Sequence, residues 1–276
     1  MQCTSPIKIA VKTGSKAFSD LYREVPCGQC LACRLNYARM WSIRIIHESQ
    51  LYYRNVFATL TYNDDNLPED KSLSKRALQL FLKRLRKSLS PRKIRYFAVG
   101  EYGGKFGRPH YHAILFNVSK RDLEVVRSCW PFGFVRLDTV TVDSANYVAK
   151  YSVKKLRGEK GREYYLSHGI IPEFSIMSSR PGIGYDYMRL HESSFRNRKY
   201  VVSKGVKYSL PRYYDQKIFG DDVDRKVEKL TYSAEKVLDL KRQCQENHVD
   251  FFDFLNEFRQ QVNLNLISRM KGKDKK

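Results

Sequence analysis

The 276-residue sequence has no stretch of about 18 consecutive apolar residues. Its opening, MQCTSPIKIAVKTG, lacks the hydrophobic centre of a secretion signal. A membrane-spanning helix and export are thereby excluded as readings, and a soluble, unexported chain is expected. No G-x-x-x-x-G-K-[ST] phosphate loop is present, so the motif of an ATP-driven helicase is missing. No internal repeat is visible. Acidic residues are scarce: 29 Asp and Glu stand against 51 Lys and Arg, for a net charge of +22. Such an excess repels itself in a compact state and usually answers a polyanion, nucleic acid before an anionic membrane. At 42% hydrophobic and 13% aromatic content the chain can still build a core. Its length suits one large domain, or one domain with a smaller appendage.

Cysteine is sparse as well, and three of the six residues crowd into CGQCLACR. The spacing of Cys27, Cys30 and Cys33 is that of metal ligands, and Cys3 is available as a fourth; four thiolates make a closed, structural zinc site. Two other readings stand beside it. Thiols of an unexported chain stay reduced, so buried free cysteines also fit. An iron–sulfur cluster fits less well, because a ferredoxin-type run would continue to a fourth Cys followed by Pro, where this chain has Tyr37 and Ala38.

Hydrophobic periodicity then sets the order of elements. RLNYARMWSIRIIHESQLY lacks Gly and Pro and gathers Leu35, Trp41, Ile45 and Ile46 near one face, which predicts a helix. NVFATLTY predicts a strand. In SLSKRALQLFLKRLRKSLS, Leu78, Phe81, Leu82, Leu85 and Leu89 fall on one side of an amphipathic helix whose other side is basic. KIRYFAVGE and PHYHAILFNV predict two strands, SKRDLEVVRSCW a helix capped by Ser119, FGFVRLD a strand and SANYVAKYSVKKL a helix. Hairpin strands with intervening helices imply an α+β layer with a mainly antiparallel sheet. Three segments are expected: 1–53 with the cysteines and a helix, 54–157 as the core, and 158–276 as a basic extension. The extension should hold helices near 222–246 and 249–268 and a disordered tail ending KGKDKK.

Two imidazoles stand one residue apart in GRPHYHAILF. Residues i and i+2 of a strand share a face, so His110 and His112 point together while Tyr111, Ala113 and Leu115 point to the other side. The preceding strand ends VGEYGGKFG, and a hairpin around 103–108 would set Glu101 almost opposite His110. Two imidazoles and a carboxylate suit a divalent cation with open positions, Mg²⁺ or Mn²⁺ more than a closed zinc site. Taken alone, a His-x-His pair is as well explained by hydrogen bonding, and His47, His168, His191 and His248 are read that way.

The helix SANYVAKYSVKKL adds a second group. At 100° per residue Ala145, Ala149, Ser152 and Leu156 form a small apolar face for packing, and Tyr147, Lys150, Tyr151 and Lys154 lie opposite. Two phenols one turn apart with ammonium groups between them can address one phosphate. A phenol, with a pKa of about 10, needs a nearby cation or base to act as a nucleophile at neutral pH. Tyrosines on a solvated helix or at a partner interface are the alternative reading.

FATLTY, GRPHYHAILF and YVAKY occur in the order of the three motifs of the HUH rolling-circle replication endonucleases, in the two-tyrosine class. The whole chain, with CGQCLACR and SSRPGIG, resembles the replication initiators of gokushovirus-type microviruses, small bacteriophages with circular single-stranded DNA. The resemblance implies an antiparallel, ferredoxin-like HUH sheet with helices over about 30–160, an N-terminal cysteine knuckle and a C-terminal helical extension. It implies Mg²⁺ or Mn²⁺ on His110, His112 and Glu101, with Tyr147 and Tyr151 as nucleophiles and Lys150 between them. The implied activity nicks one strand of origin DNA, leaves a 3′-OH primer and a 5′-phosphotyrosine, and later rejoins the displaced strand. The implied setting is the cytoplasm of a bacterial host, whose helicase and polymerase would be partners. Two other classes compete with it. A non-catalytic single-stranded DNA binding or packaging protein accounts for the charge and aromatics but not for the ordered motifs. A single-tyrosine HUH transposase or relaxase leaves the second tyrosine without a task.

The charge excess yields the first expected outcome. Affinity for single-stranded DNA should fall by about 0.7 log units per log unit of salt for each phosphate neutralised, measured by fluorescence anisotropy across a salt series. A flat profile would mean that the positive charge serves another partner.

Overall fold

The computed structural model describes residues 2–10, 22–103, 107–154 and 158–271, without the side chains of 22, 23, 151–154, 160 and 271. The end of the chain expected to be disordered, 272–276, lies outside the described residues. In chain order the elements are strands β1 (Ile7–Ala10) and β2 (Tyr22–Val25), helix α1 (Leu31–Ser49), strand β3 (Asn55–Tyr62) and helix α2 (Lys75–Ser88). Strands β4 (Arg95–Tyr102) and β5 (Pro109–Phe116), helix α3 (Leu123–Cys129), strand β6 (Gly133–Thr139) and helices α4 (Val142–Lys154) and α5 (Gly158–Ser167) follow. Then come strand β7 (Phe174–Met177), helices α6 (Tyr185–Leu190) and α7 (Glu192–Arg198), strands β8 (Tyr200–Ser203) and β9 (Val206–Ser209), and helices α8 (Arg212–Phe219), α9 (Val223–Glu246) and α10 (Phe251–Lys271).

The chain divides into two compact units, 1–37 with 219–276, and 38–218. In the first, β1 and β2 pair antiparallel with Ile7 opposite Val25, and α9 and α10 occupy the two helical stretches expected from the sequence. The second is built on a five-stranded sheet in the order β6-β3-β5-β4-β7, antiparallel throughout. The fold is thus α+β, as expected. Its fifth strand, FSIM, comes from the segment read as an extension; four residues carry too little alternation to announce a strand, and β7 exists through its pairing with Phe97–Gly100 of β4.

Helices cover both faces of the sheet, which is why β3, β4 and β5 are apolar on nearly every residue. On one face Val56, Ala58, Leu60, Tyr111, Ala113 and Leu115 pack with Leu78, Phe81, Leu82 and Leu85 of α2 and Val126 of α3. On the other, Phe57, Phe97, Val99, Ile114 and Phe116 pack with Ile45 of α1 and Ala145 and Val148 of α4. Tyr111, between the two histidines, is fully buried on the first face. Its hydroxyl accepts from the Ser74 N–H (2.7 Å) and donates to the Ser74 carbonyl (3.1 Å), so β5 holds the start of α2, where Ser74 also caps Ala77.

The SSRPGIG segment is anchored by a buried ion pair. Glu48 of α1, fully buried, receives Arg95 Nε at 2.5 Å and the Gly184 N–H at 2.6 Å. Arg95 also donates to the Pro181 carbonyl at 2.8 Å, and Arg44 donates to the Ile183 carbonyl at 2.9 Å. Gly184 has φ +78°, and a Cβ there would collide with the Tyr214 hydroxyl, so this tight crossing needs glycine. Truncating Glu48 to Ala would leave Arg95 uncompensated and should cost about 3–5 kcal/mol in urea unfolding. A Glu48→Leu, Arg95→Met double variant should recover most of that loss. Equal destabilisation of the two variants would show that shape, not the unpaired charge, sets the cost.

Candidate active site

Strand register assembles the first group of functional side chains. Glu101 of β4 lies opposite His110 of β5, and His112 lies opposite Thr59 of β3. All four side chains therefore share the face that α1 and α4 cover further along. Glu101 and His112 are buried and His110 is partly covered. Both imidazoles converge on one carboxylate oxygen: His110 Nε2 lies 2.7 Å and His112 Nε2 3.1 Å from Glu101 Oε1. The two rings stand perpendicular, 5.0 Å apart.

The far nitrogens decide what this convergence can do. His110 Nδ1 lies 3.0 Å from the Arg108 carbonyl, an acceptor only, so Nδ1–H must donate there. In the neutral ring Nε2 then carries a lone pair facing the carboxylate. His112 Nδ1 lies 3.1 Å from the Thr59 hydroxyl, which leaves its Nε2 free for the same role, and Phe57 stacks flat on the ring at 5.3 Å and 9°. Lone pairs facing an anion need a positive charge between them: a proton on an imidazole or a metal ion. The donor set of two nitrogens and a carboxylate oxygen, with imidazoles oriented through their outer nitrogens, fits a divalent cation. Thr59 and Phe57 were not singled out as site residues from the sequence. The signal was available, since both fall on the alternate positions of FATLTY that share the face of the histidines.

Helix α4 brings Tyr147 to this group. Its ring lies 5.4 Å from His112, edge to face, and 6.1 Å from Phe57, and the side chain is 46% exposed. Ala145, Val148 and Ala149 are buried beneath it, and Lys150 is exposed. Tyr151 follows one turn after Tyr147 on the same helix; its side chain, with those of Ser152 and Lys154, lies outside the described residues, as does Leu156. Among the histidines read as structural, His47 stacks on Tyr187 at 4.2 Å, and burial lowers its pKa to about 4.

The second group is formed by Cys3, Cys27, Cys30 and Cys33, all half-buried, with sulfur atoms within 4.8 Å of one another. Cys3 Sγ is 3.6 Å from Cys27 Sγ and 3.7 Å from Cys30 Sγ. Four sulfurs at about 2.3 Å around a tetrahedral ion would be roughly 3.8 Å apart, so the set can hold one. The N–H groups of Gln29 and Cys30 point at Cys27 Sγ at 3.4 and 3.2 Å, as donors to a thiolate would. Burial opposes ionisation, yet hydrogen bonds from Thr4 and Cys33 hold Cys30 down at about 6, while burial and the Cys30 charge push Cys33 up to about 12. Four thiolates in this space need a cation.

Comparison with known proteins places these features in a class. Residues 55–156, from β3 to just beyond α4, match a family model described as a replication-associated protein of the ORF2 type. The chain is 34% identical to the replication-associated protein VP4 of Bdellovibrio phage phiMH2K, over 78% of this chain and 76% of that protein. It is 30% identical to the replication-associated protein ORF2 of Spiroplasma virus 4, over 89% and 84% of the two chains. With the replication-associated protein ORF4 of Chlamydia phage 1 it shares 29% identity, over 69% of this chain and 52% of that one. No solved structure gives a significant match. The chain belongs to this family of phage replication-associated proteins, and it is a replication initiator. No helix among the described residues is long and apolar enough to cross a membrane.

Thr59 gives a test that separates orientation from ligation. With Mn²⁺ as the probe, Thr59→Val should weaken binding about 10–100-fold, and His112→Ala should abolish it, both read by titration calorimetry. Metal on the cysteines, measured by elemental analysis after dialysis, should stay at about one ion per chain in both variants. Unchanged Mn²⁺ affinity in Thr59→Val would remove the hydroxyl from the site.

Proposed function

We propose that this protein is a metal-dependent, site-specific endonuclease and strand-transferase of the HUH type, which nicks origin DNA to start rolling-circle replication and rejoins the strand to end it. The observation that carries the reading is the convergence of Glu101, His110 and His112 beside a tyrosine-bearing helix in a replication-associated protein. Mg²⁺ or Mn²⁺ held by these three side chains would polarise the scissile phosphate and fix its geometry. Zn²⁺ on the four cysteines would be structural.

The chain's own residues supply the rest. Tyr147 gives up its phenolic proton as Oη bonds to phosphorus; the bond from phosphorus to the 3′-oxygen breaks, and that oxygen takes up a proton to become a 3′-OH. The enzyme keeps the 5′-phosphate as a tyrosine ester. Bond energy is conserved, so no ATP is required, in keeping with the missing phosphate loop. Lys150, on the exposed side of α4, favours the phenolate and the phosphate charge. Tyr151, a turn away, serves as the second nucleophile, receiving the strand when the first ester is resolved. On this reading 54–157 is the endonuclease core, 1–53 carries the knuckle, and 158–276 contributes basic surface. The substrate is a single-stranded origin, in the cytoplasm of a bacterial host whose helicase and polymerase complete replication.

Protein incubated with origin-bearing single-stranded DNA and Mn²⁺ should form a denaturant-stable adduct, lost in excess EDTA and in His110→Ala. Tyr147→Phe and Tyr151→Phe should each fail in repeated nicking and circularisation while at least one retains single-turnover adduct, and the double variant should form none. Mass spectrometry should map the DNA to the peptide NYVAKYSVK. Attachment elsewhere would remove α4 as the nucleophile carrier, and adduct formation in EDTA would remove the metal.

A further inference from the structure

The face that carries the metal group continues, in register, to the edge of the sheet. His110 lies opposite Thr61 of β3, and Thr61 lies opposite Phe134 of β6; His112 lies opposite Thr59, and Thr59 opposite Arg136. Glu101, His110, Thr61 and Phe134 therefore form one row across four strands, and His112, Thr59 and Arg136 a second. Strands about 4.8 Å apart put Phe134 roughly 10 Å from His110. At the other end of this face α1 and α4 cover Phe57, Ile114 and Phe116, but Phe134 is 70% exposed and the Arg136 side chain 78% exposed.

Phe134 is not a core residue turned outward by chance of register. Val135 is buried and Leu137 packs on the opposite face with α2 and α3, and Phe132 packs on Trp130, so the inward positions of this segment are already filled. Gly133 fixes the alternation. A Cβ there would collide with the backbone of Thr61, Tyr62 and Asn63, so glycine lets β6 close onto β3 with Phe134 on the metal face. An aromatic ring held open beside phosphate-directed groups on a basic chain suits a nucleobase, because every base offers a π-face. Arg136 pairs with Asp138 at 3.0 Å. This exposed pair is worth little in water, so the guanidinium can turn to a backbone phosphate.

We infer that Phe134 and Arg136 form a nucleotide subsite, in which Phe134 stacks one base and Arg136 contacts the adjoining phosphate, one or two nucleotides from the phosphate bound at the metal group. The inference rests on the proposed nicking activity for its placement and on the sheet register for its existence. Its test uses the full-length protein. Once the adduct has located the scissile phosphate, strands lacking a single base are scanned across that position. With wild-type protein one abasic position should lower single-turnover adduct formation at subsaturating protein by about 10–100-fold, the range of base–aromatic stacking. Phe134→Ala should show the same loss on the intact strand and no further loss on that abasic strand, and Phe134→Trp should restore both. Losses that multiply, or Phe134→Ala equal to wild type, would overturn the subsite. A second arm reads binding alone: 2-aminopurine placed along the strand should be quenched at one position by wild-type protein and not by Phe134→Ala. If wild-type protein forms no adduct on any strand, the nicking reading fails; the quenching pattern still decides whether Phe134 stacks a base.

Discussion

The antiparallel pairing of β5 with β4 on one side and β3 on the other positions every group discussed above. It places Glu101 against His110, Thr59 against His112, and, one strand further, Phe134 in line with Thr61. Side chains alternate faces along a strand, so a slip of one residue would exchange the whole set, burying the imidazoles under α2 and turning Tyr111 toward the metal face. The register is protected against that slip by residues that are not part of the site. Tyr111 is committed to the Ser74 backbone, and Ala113 and Leu115 fill the α2 side of the core. The same decapeptide thus supplies both the chemistry and the reason the chemistry faces the right way.

Burial and orientation then turn a register into a site. Glu101 and His112 lie under cover, and each imidazole is fixed through its Nδ1, one by a backbone carbonyl and one by a threonine hydroxyl. The outer partners decide that the Nε2 lone pairs face the carboxylate, which is what gives the trio its affinity for a cation. Tyr147 reaches this group because Ala145, Val148 and Ala149 seat α4 closely on the sheet; larger residues there would lift the helix away. The knuckle follows a different rule. Its four sulfurs come from a short motif and one remote cysteine, and they occupy a space that a tetrahedral ion would fill.

The chemistry-bearing motifs were legible in the sequence because each is local. The alternation of a strand puts His110 and His112 on one face, the 100° step of a helix separates Tyr147 and Lys150 from Ala145 and Ala149, and C-x2-C-x2-C limits the cysteines to a few arrangements. The hairpin between β4 and β5 is short, so chain connectivity alone sets Glu101 against His110. The amphipathic pattern of α2 was equally plain, and its inward residues are those that the core contains.

What the sequence could not decide depends on partners distant along the chain. β7 is a strand only because β4 has an open edge for FSIM to join. Glu48 reads as an ordinary surface residue of α1, yet it is buried because Arg95 and the Gly184 amide meet it from other elements. Thr59 and Phe57 sit in a recognised motif, but their work on the His112 ring follows from cross-strand pairing. Phe134 is one aromatic among several in its stretch until β6 pairs with β3 and carries it onto the metal face. The sequence by itself determined which residues could do chemistry and on which side of their own element they lie, since a strand or helix repeats over a few residues. Tertiary structure alone decided which of those sides meet, because strand order and long-range pairing are set by the packing of the whole sheet.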